Sequence, residues 1–200
     1  MDRIQCPNDL FEFKTFFYEL FFCDFHTYIV SWLCMSYCQE CGHKLENRFL
    51  ENEGMIPYCP NCQQFRFPMF NVACSMIVLS PNQDEVVLIQ QYGKPYYVLV
   101  AGYVNQKEDA EDCVLREIWE ELGAKVASFS FNRSHYFPKS NTLMLNFTAI
   151  LESKELHCNE EIDSYAWFTL KQAQEHIKKN SLAQAFLTGY LDHTYSFPKY

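Results

Sequence analysis

Two groups of residues in this 200-residue chain have the types and spacing for chemistry. The first is acidic. Between Asn105 and Gly123 stand seven carboxylates (Glu108, Asp109, Glu111, Asp112, Glu117, Glu120 and Glu121) against two cations, Lys107 and Arg116. Leu115, Ile118 and Leu122 recur at helical spacing with Val114 and Trp119 beside them, which predicts an amphipathic helix from Asp109 to Leu122 closed by Gly123. On that helix Glu117, Glu120 and Glu121 stand at i, i+3 and i+4 and share one face. Like charges so close destabilise a helix unless a cation neutralises them. A hard divalent ion does this best, because Mg2+ takes oxygen ligands and shares them with phosphates. A solvated charged face alternates signs along its length, and this one does not.

The second group is sulfur-rich. Cys38-Gln-Glu-Cys41 is followed after seventeen residues by Cys59-Pro-Asn-Cys62. Two such knuckles suit a tetrahedral zinc ion with four thiolate ligands, and Gly42 can take the positive φ of the first turn. Four thiolates fill every coordination position, so the predicted role is structural: the metal stands in for a core that some thirty residues cannot build.

The elements that must carry these groups follow from the apolar pattern. Val72–Leu79, Val86–Ile89 and Tyr96–Val100 read as strands, as do Ala127–Phe131 and Leu143–Leu151. Thr169-x-x-Gln172 opens a helix to Lys179, and Ser181 caps another running to Leu191. Strands interleaved with helices, without a regular βαβ repeat, predict an α+β or mixed-sheet sandwich. Hydrophobic residues make up 48% and charged residues 20%, enough to bury a core. The formal charge of −9 disfavours non-specific binding to nucleic acid, and no DNA partner is expected. Ten cysteines are too sparse for a disulfide scaffold in a chain of this length, so a reduced, cytoplasmic setting is expected. The other cysteines read as small hydrophobes, and His135 and His157 as surface or turn residues. Residues 1–34 are aromatic-rich but interrupted by Glu12, Lys14, Glu19 and Asp24, which argues against a membrane span. They read as a helix on the domain or as an extension upstream of a start at Met35.

Gly102-x5-Glu108-x7-Arg116-Glu117-Ile118-Trp119-Glu120-Glu121-Leu122-Gly123-Ala124 resembles a complete Nudix box, with Ala124 where a larger aliphatic is usual. The resemblance implies a Nudix α/β/α sandwich with a mixed β-sheet over residues 71–200, preceded by the zinc ribbon over 35–70. It implies a metal-dependent hydrolase that cleaves nucleoside diphosphates linked to another group. In it Gly102 lends its carbonyl to Mg2+ or Mn2+, Glu117, Glu120 and Glu121 hold the metal with one as general base, and Arg116 and Glu108 brace the loop.

A ribbon before such a domain is similar to the NADH pyrophosphatase subfamily, which splits NAD(H) into a mononucleotide and AMP and includes enzymes that remove NAD caps from RNA. That likeness spans residues 37–190. It implies substrate contacts from Tyr103, Phe137, Ser134 and Ala183, and a further metal-side or phosphate-side carboxylate at Glu161. It also implies a homodimer in which Phe67 reaches the partner's site, with Met69 replacing a usual basic residue. Ser134-His135-Tyr136-Phe137-Pro138-Lys139-Ser140-Asn141-Thr142 departs from the subfamily's substrate signature at most positions. ADP-ribose and ADP-sugars therefore stand as alternative substrates, and a nucleotide-sensing regulator without catalysis as an alternative role. The ribbon itself is checked by Cys59→Ser: elemental analysis should find about one zinc per wild-type chain and clearly less in the variant, and undiminished zinc would refute the four-cysteine site.

Overall fold

The computed structural model describes residues 36–198, and these divide after Met69 into two units. The aromatic-rich residues 1–34 lie outside the described residues.

The first unit is a three-stranded antiparallel sheet, β1 (Glu46–Leu50), β2 (Gly54–Cys59) and β3 (Gln64–Phe65), in the order β1-β2-β3. Its buried residues are Cys38, Ile56, Pro57 and Cys59 among those described. So few buried residues among those described cannot offset the entropy of ordering them. The four cysteines meet instead, with all four Sγ atoms within 4.8 Å of one another. Gly42 takes φ +70, as the first knuckle requires.

The second unit is built on a six-stranded mixed sheet. β4 (Asn71–Leu79) lies at its centre, parallel to β8 (Thr142–Leu151). β7 (Val126–Phe137) lies outside β8, while β5 (Glu85–Gln91) and then β9 (Ile162–Thr169) continue the other side. The short β6 (Val100–Tyr103) pairs with Ala73–Met76 of β4. Alternation along β4 buries both faces. Cys74, Met76 and Val78 face Cys113, Val114, Ile118 and Leu122 of helix α1 (Ala110–Leu122). Ile77 and Leu79 face Ala173 of α2 (Leu170–His176), Ile177 just beyond it, and Phe186 and Leu187 of α3 (Leu182–Asp192). The result is the expected α/β/α sandwich. Asp109 stands at the N-cap of α1, and Gly123 closes it at φ +60 with its amide on Trp119.

Three expectations change. The strand read at Tyr96–Val100 begins instead at Val100. Tyr97 and Val98 make only isolated bridges, to Ile177 and Ile89, because that half-buried apolar run has no continuous ladder to join. The strand read at Ala127–Phe131 extends to Phe137. β7 is an edge strand, so polar residues outside the apolar alternation still pair with β8 through a bulge at Phe131/Arg133. His135 consequently sits within β7, stacked on Phe197 at 3.8 Å, rather than in a turn. Finally, α2 ends at His176, not Lys179, because Ile177 turns extended to bridge Tyr97.

A Cβ on Gly123 would lie 2.6 Å from the backbone oxygen of His157 and in a left-handed conformation. Gly123→Ala should therefore destabilise the second unit by ~2 kcal/mol, read as a lower urea midpoint at unchanged slope.

Candidate active site

Loop and helix are joined through one guanidinium. Arg116 Nε and Nη2 donate to the two Glu108 oxygens at 2.6 and 2.9 Å, a bidentate pair. Nη1 donates to Glu117 at 2.7 Å and Glu120 at 2.9 Å, and Nη2 also reaches the Tyr103 carbonyl at 3.0 Å. The Asn105 amide donates to Glu108 as well. The Arg116 hydrogen bonds and that amide hold the Glu108 carboxyl down at a pKa of about 2. Cys113, expected as a plain hydrophobe, puts its thiol between α1 and the loop: it lies 3.6 Å from the Tyr103 carbonyl and accepts from Arg116 Nη2 at 3.6 Å.

The acids gather around a cavity of about 470 Å³. Glu117, Glu120, Glu121 and Glu161 line it, together with Arg116, Gly102 and Tyr103. Glu121 is 5% exposed, and its Oε2 is buried with no hydrogen-bond partner. Burial first, then repulsion from Glu117, Glu161 and Glu120, pushes its carboxyl up to about 8. A buried, unpartnered carboxylate facing three others is costly by itself, and it fits an oxygen-liganded divalent cation. Gly102 serves this packing through its missing side chain, since a Cβ there would fall 1.9 Å from the Glu117 carboxyl carbon. With Glu117 pinned by Arg116, any larger residue displaces it.

Glu161 reaches the cluster by a different route. The amides of His157 and Asn159 donate to the carbonyls of Leu122 and Glu121 at the end of α1. Asn159 Oδ1 then accepts from the Glu161 amide at 3.0 Å. Carbonyls that a helix leaves unpaired thus anchor the loop that delivers a fourth acid.

Of the other residues expected at the site, Tyr103 lines the cavity and is 55% exposed. Ser134, Phe137 and Ala183 are not among the lining residues; Ser134 is exposed, Phe137 half-buried, and Ala183, in the first turn of α3, packs against the core. Phe67 belongs to the first unit and is exposed. Sequence reasoning missed Tyr92, Asn105, Asn159 and Met144, which also line the cavity. Asn105 lies inside the Gly102-x5-Glu108 stretch at a position the motif leaves free, and the other three come from loops and strands far apart in sequence that no motif spacing links.

In the first unit, Arg66 Nε donates to Cys38 Sγ at 3.3 Å, and the Cys62 amide to Cys59 Sγ at 3.3 Å. Burial opposes ionisation of Cys38, yet backbone donors at Cys41 and Glu40 and the Arg66 guanidinium outweigh it and bring its pKa to about 6. Thiolate-stabilising donors around four convergent sulfurs fit zinc.

A mixed sheet between helices, with four acids and an arginine at one end of α1, defines a Nudix hydrolase fold, and the match agrees: the NUDIX domain family covers residues 69–188, so the chain belongs to it. Among curated proteins it is similar to the NAD-capped RNA hydrolase NudC of Pseudomonas aeruginosa strain LESB58, 32% identical over 158 residues, 78% of this chain and 55% of that protein. The protein of the same name from Chromobacterium violaceum is 32% identical over 133 residues, 65% of this chain and 49% of its own. The chain thus spans about half the length of the curated relatives it matches. In fold it resembles the crystal structure of a NUDIX hydrolase from Nitrosomonas europaea, with a TM-score of 0.53 and 20% identity over 82% of this chain and 96% of that one.

The pairing of Glu108 predicts a pH effect. Its folded pKa of about 2 lies below its ordinary value of 4.5, so the contribution to stability is complete above the ordinary value and lost as pH falls toward 2. In urea titrations the stability advantage of wild type over Glu108→Gln should be constant near neutrality and shrink steadily in that acid window. An advantage independent of pH would contradict the pairing.

Proposed function

We propose that this chain is a divalent-metal-dependent pyrophosphohydrolase that cleaves NAD(H) into nicotinamide mononucleotide and AMP, and acts on NAD-capped RNA. The observation that carries this reading is the buried, unpartnered Glu121 carboxylate set among Glu117, Glu120 and Glu161 at one cavity. The names of the similar proteins support the choice of substrate.

Glu117, Glu120, Glu121, Glu161 and the Gly102 carbonyl are the groups that hold Mg2+ or Mn2+. When bound, such an ion neutralises pyrophosphate charge and lowers the pKa of water. The protein's own part is positioning. Arg116 fixes Glu117 and Glu120 against α1, and Glu108 fixes Arg116. One glutamate of the helix takes the proton of the water that attacks phosphorus, in line with the departing phosphate oxygen. Tyr103, at the cavity mouth, offers a ring for a base to stack on, and Ser134, Phe137 and Ala183 are the further substrate-side residues proposed.

The four cysteines Cys38, Cys41, Cys59 and Cys62 hold structural zinc. The working form is a homodimer in which Phe67 of each copy faces its partner's substrate, in a reduced cytoplasmic setting. No helix among the described residues is long and apolar enough to cross a membrane.

Incubation of the purified protein with NADH, NAD+, ADP-ribose and an ADP-sugar under Mn2+ tests the reading. Nicotinamide mononucleotide and AMP should form fastest; faster release of ribose phosphate from ADP-ribose would transfer the proposal to that substrate. Glu121→Gln keeps the side chain's volume but removes a ligand charge, and kcat should fall at least ~100-fold with the thermal midpoint preserved. A variant at wild-type rate overturns the metal assignment.

A further inference from the structure

Tyr92 occupies a corner that the chain holds at a cost. β5 and β9 pair in register from Glu85↔Thr169 to Gln90↔Ser164, then slip so that Gln91 faces Ile162. Directly after this bulge Tyr92 takes φ +57. Left-handed backbone suits Gly and Asn, and a bulky side chain there marks a constraint. The other non-glycine residues at positive φ among those described are Asn, Gln, Lys and His, so Tyr92 is the sole phenol. Its neighbours share the tension. Gly93 also has positive φ, with its amide clamped on Asp163 Oδ2 at 2.6 Å, and the Gln91 amide oxygen is buried without a hydrogen-bond partner.

Packing does not explain the corner, because Tyr92 is 67% exposed. Direction does. Its hydroxyl donates to Glu161 Oε2 at 3.2 Å, and its ring lines the same cavity as Glu117, Glu120 and Glu121. Glu161 is exposed, and an exposed glutamate samples many rotamers unless a partner selects one. Asn159 fixes its backbone; Tyr92 fixes its carboxylate.

We propose that Tyr92 is a positioning residue: the bulge, the left-handed turn and the Asp163 clamp aim its hydroxyl so that Glu161 is held toward the acidic cluster before a divalent ion arrives. The inference rests on the metal reading of that cluster.

Direct Mn2+ binding by calorimetry, thermal midpoints and NADH turnover test it together. Tyr92→Phe keeps the ring and the turn but loses the donor, and it should weaken Mn2+ about 3–10-fold, the worth of one hydrogen bond. Its kcat should fall by a similar factor, with the KM for NADH changing less. Added to Glu161→Gln, the same change should cost nothing further. Tyr92→Asn loses the donor's reach but suits the left-handed turn, so its midpoint should rise by ~2–4 °C while Mn2+ binding weakens. A merely structural tyrosine would not separate stability from binding in this way. Wild-type Mn2+ affinity in Tyr92→Phe, alongside weakened binding in Glu161→Gln, overturns the proposal and leaves the metal reading intact. A lower midpoint in Tyr92→Asn overturns the role of strain. Mn2+ binding indifferent to both Glu121→Gln and Glu161→Gln overturns the metal reading, and this proposal with it.

Discussion

Charge repulsion is the constraint around which the second unit is organised. Glu117, Glu120, Glu121 and Glu161 share one cavity, and Arg116 alone among the lining residues carries a full positive charge. One guanidinium cannot satisfy them, and it does not try to. Its strongest geometry is spent on Glu108, outside the cavity, where a bidentate pair fixes the loop to the helix. Its remaining donors reach Glu117 and Glu120, while Glu121 is left without a partner. The arrangement leaves acids crowded at one spot without enough cations, and Glu121 among them is shut away from water with its carboxyl pushed up to about 8. A doubly charged ion and a phosphate chain are suited to that spot, whereas a neutral ligand is not.

Backbone economy makes the crowding possible. Gly102 contributes a carbonyl and nothing else, so Glu117 can lie against β6 where any Cβ would collide with it. The thiol of Cys113 fills the space between α1 and the loop without a second charge. On the opposite face of the sheet, α2 and α3 bury the aliphatic side chains of β4 and β5 and carry none of the four acids. The layers therefore divide their labour, one side rigidifying the sheet and the other displaying chemistry at its edge. The ribbon solves a different problem by related means. Its described residues bury little, and four convergent sulfurs with nearby donors, a set that fits zinc, stand where packing is thin.

Much of this was legible in the residues. The glutamate spacing, the capping glycine and the paired knuckles are local patterns, and local patterns survive folding: α1 begins at Ala110 and ends at Leu122, capped by Gly123, as its periodicity demands. The misses are tertiary. β7 runs on through Asn132, Arg133 and Ser134 because β8 offers a ladder, not because those side chains favour strands. Tyr96 and Tyr97 look like a strand because they open an apolar run, yet the ladder begins later at Val100. Tyr92, Asn159 and Met144 could not be assigned to the cavity, because nothing in their local sequence refers to α1. The one available signal was indirect: Tyr-Gly after an apolar run marks a turn at a strand end, where functional side chains collect.

The segment between β8 and β9 joins these themes. Its amides close the end of α1, and two residues later it presents Glu161. Surface connections ordinarily gain and lose residues freely. Here both ends of a short stretch are fastened, one to a helix terminus and one to an acid whose address is fixed to within a side chain's reach. In descendants of this chain the composition of that stretch can drift, whereas its length between His157 and Glu161 is frozen, and a single inserted residue would silence the site while leaving the sandwich whole.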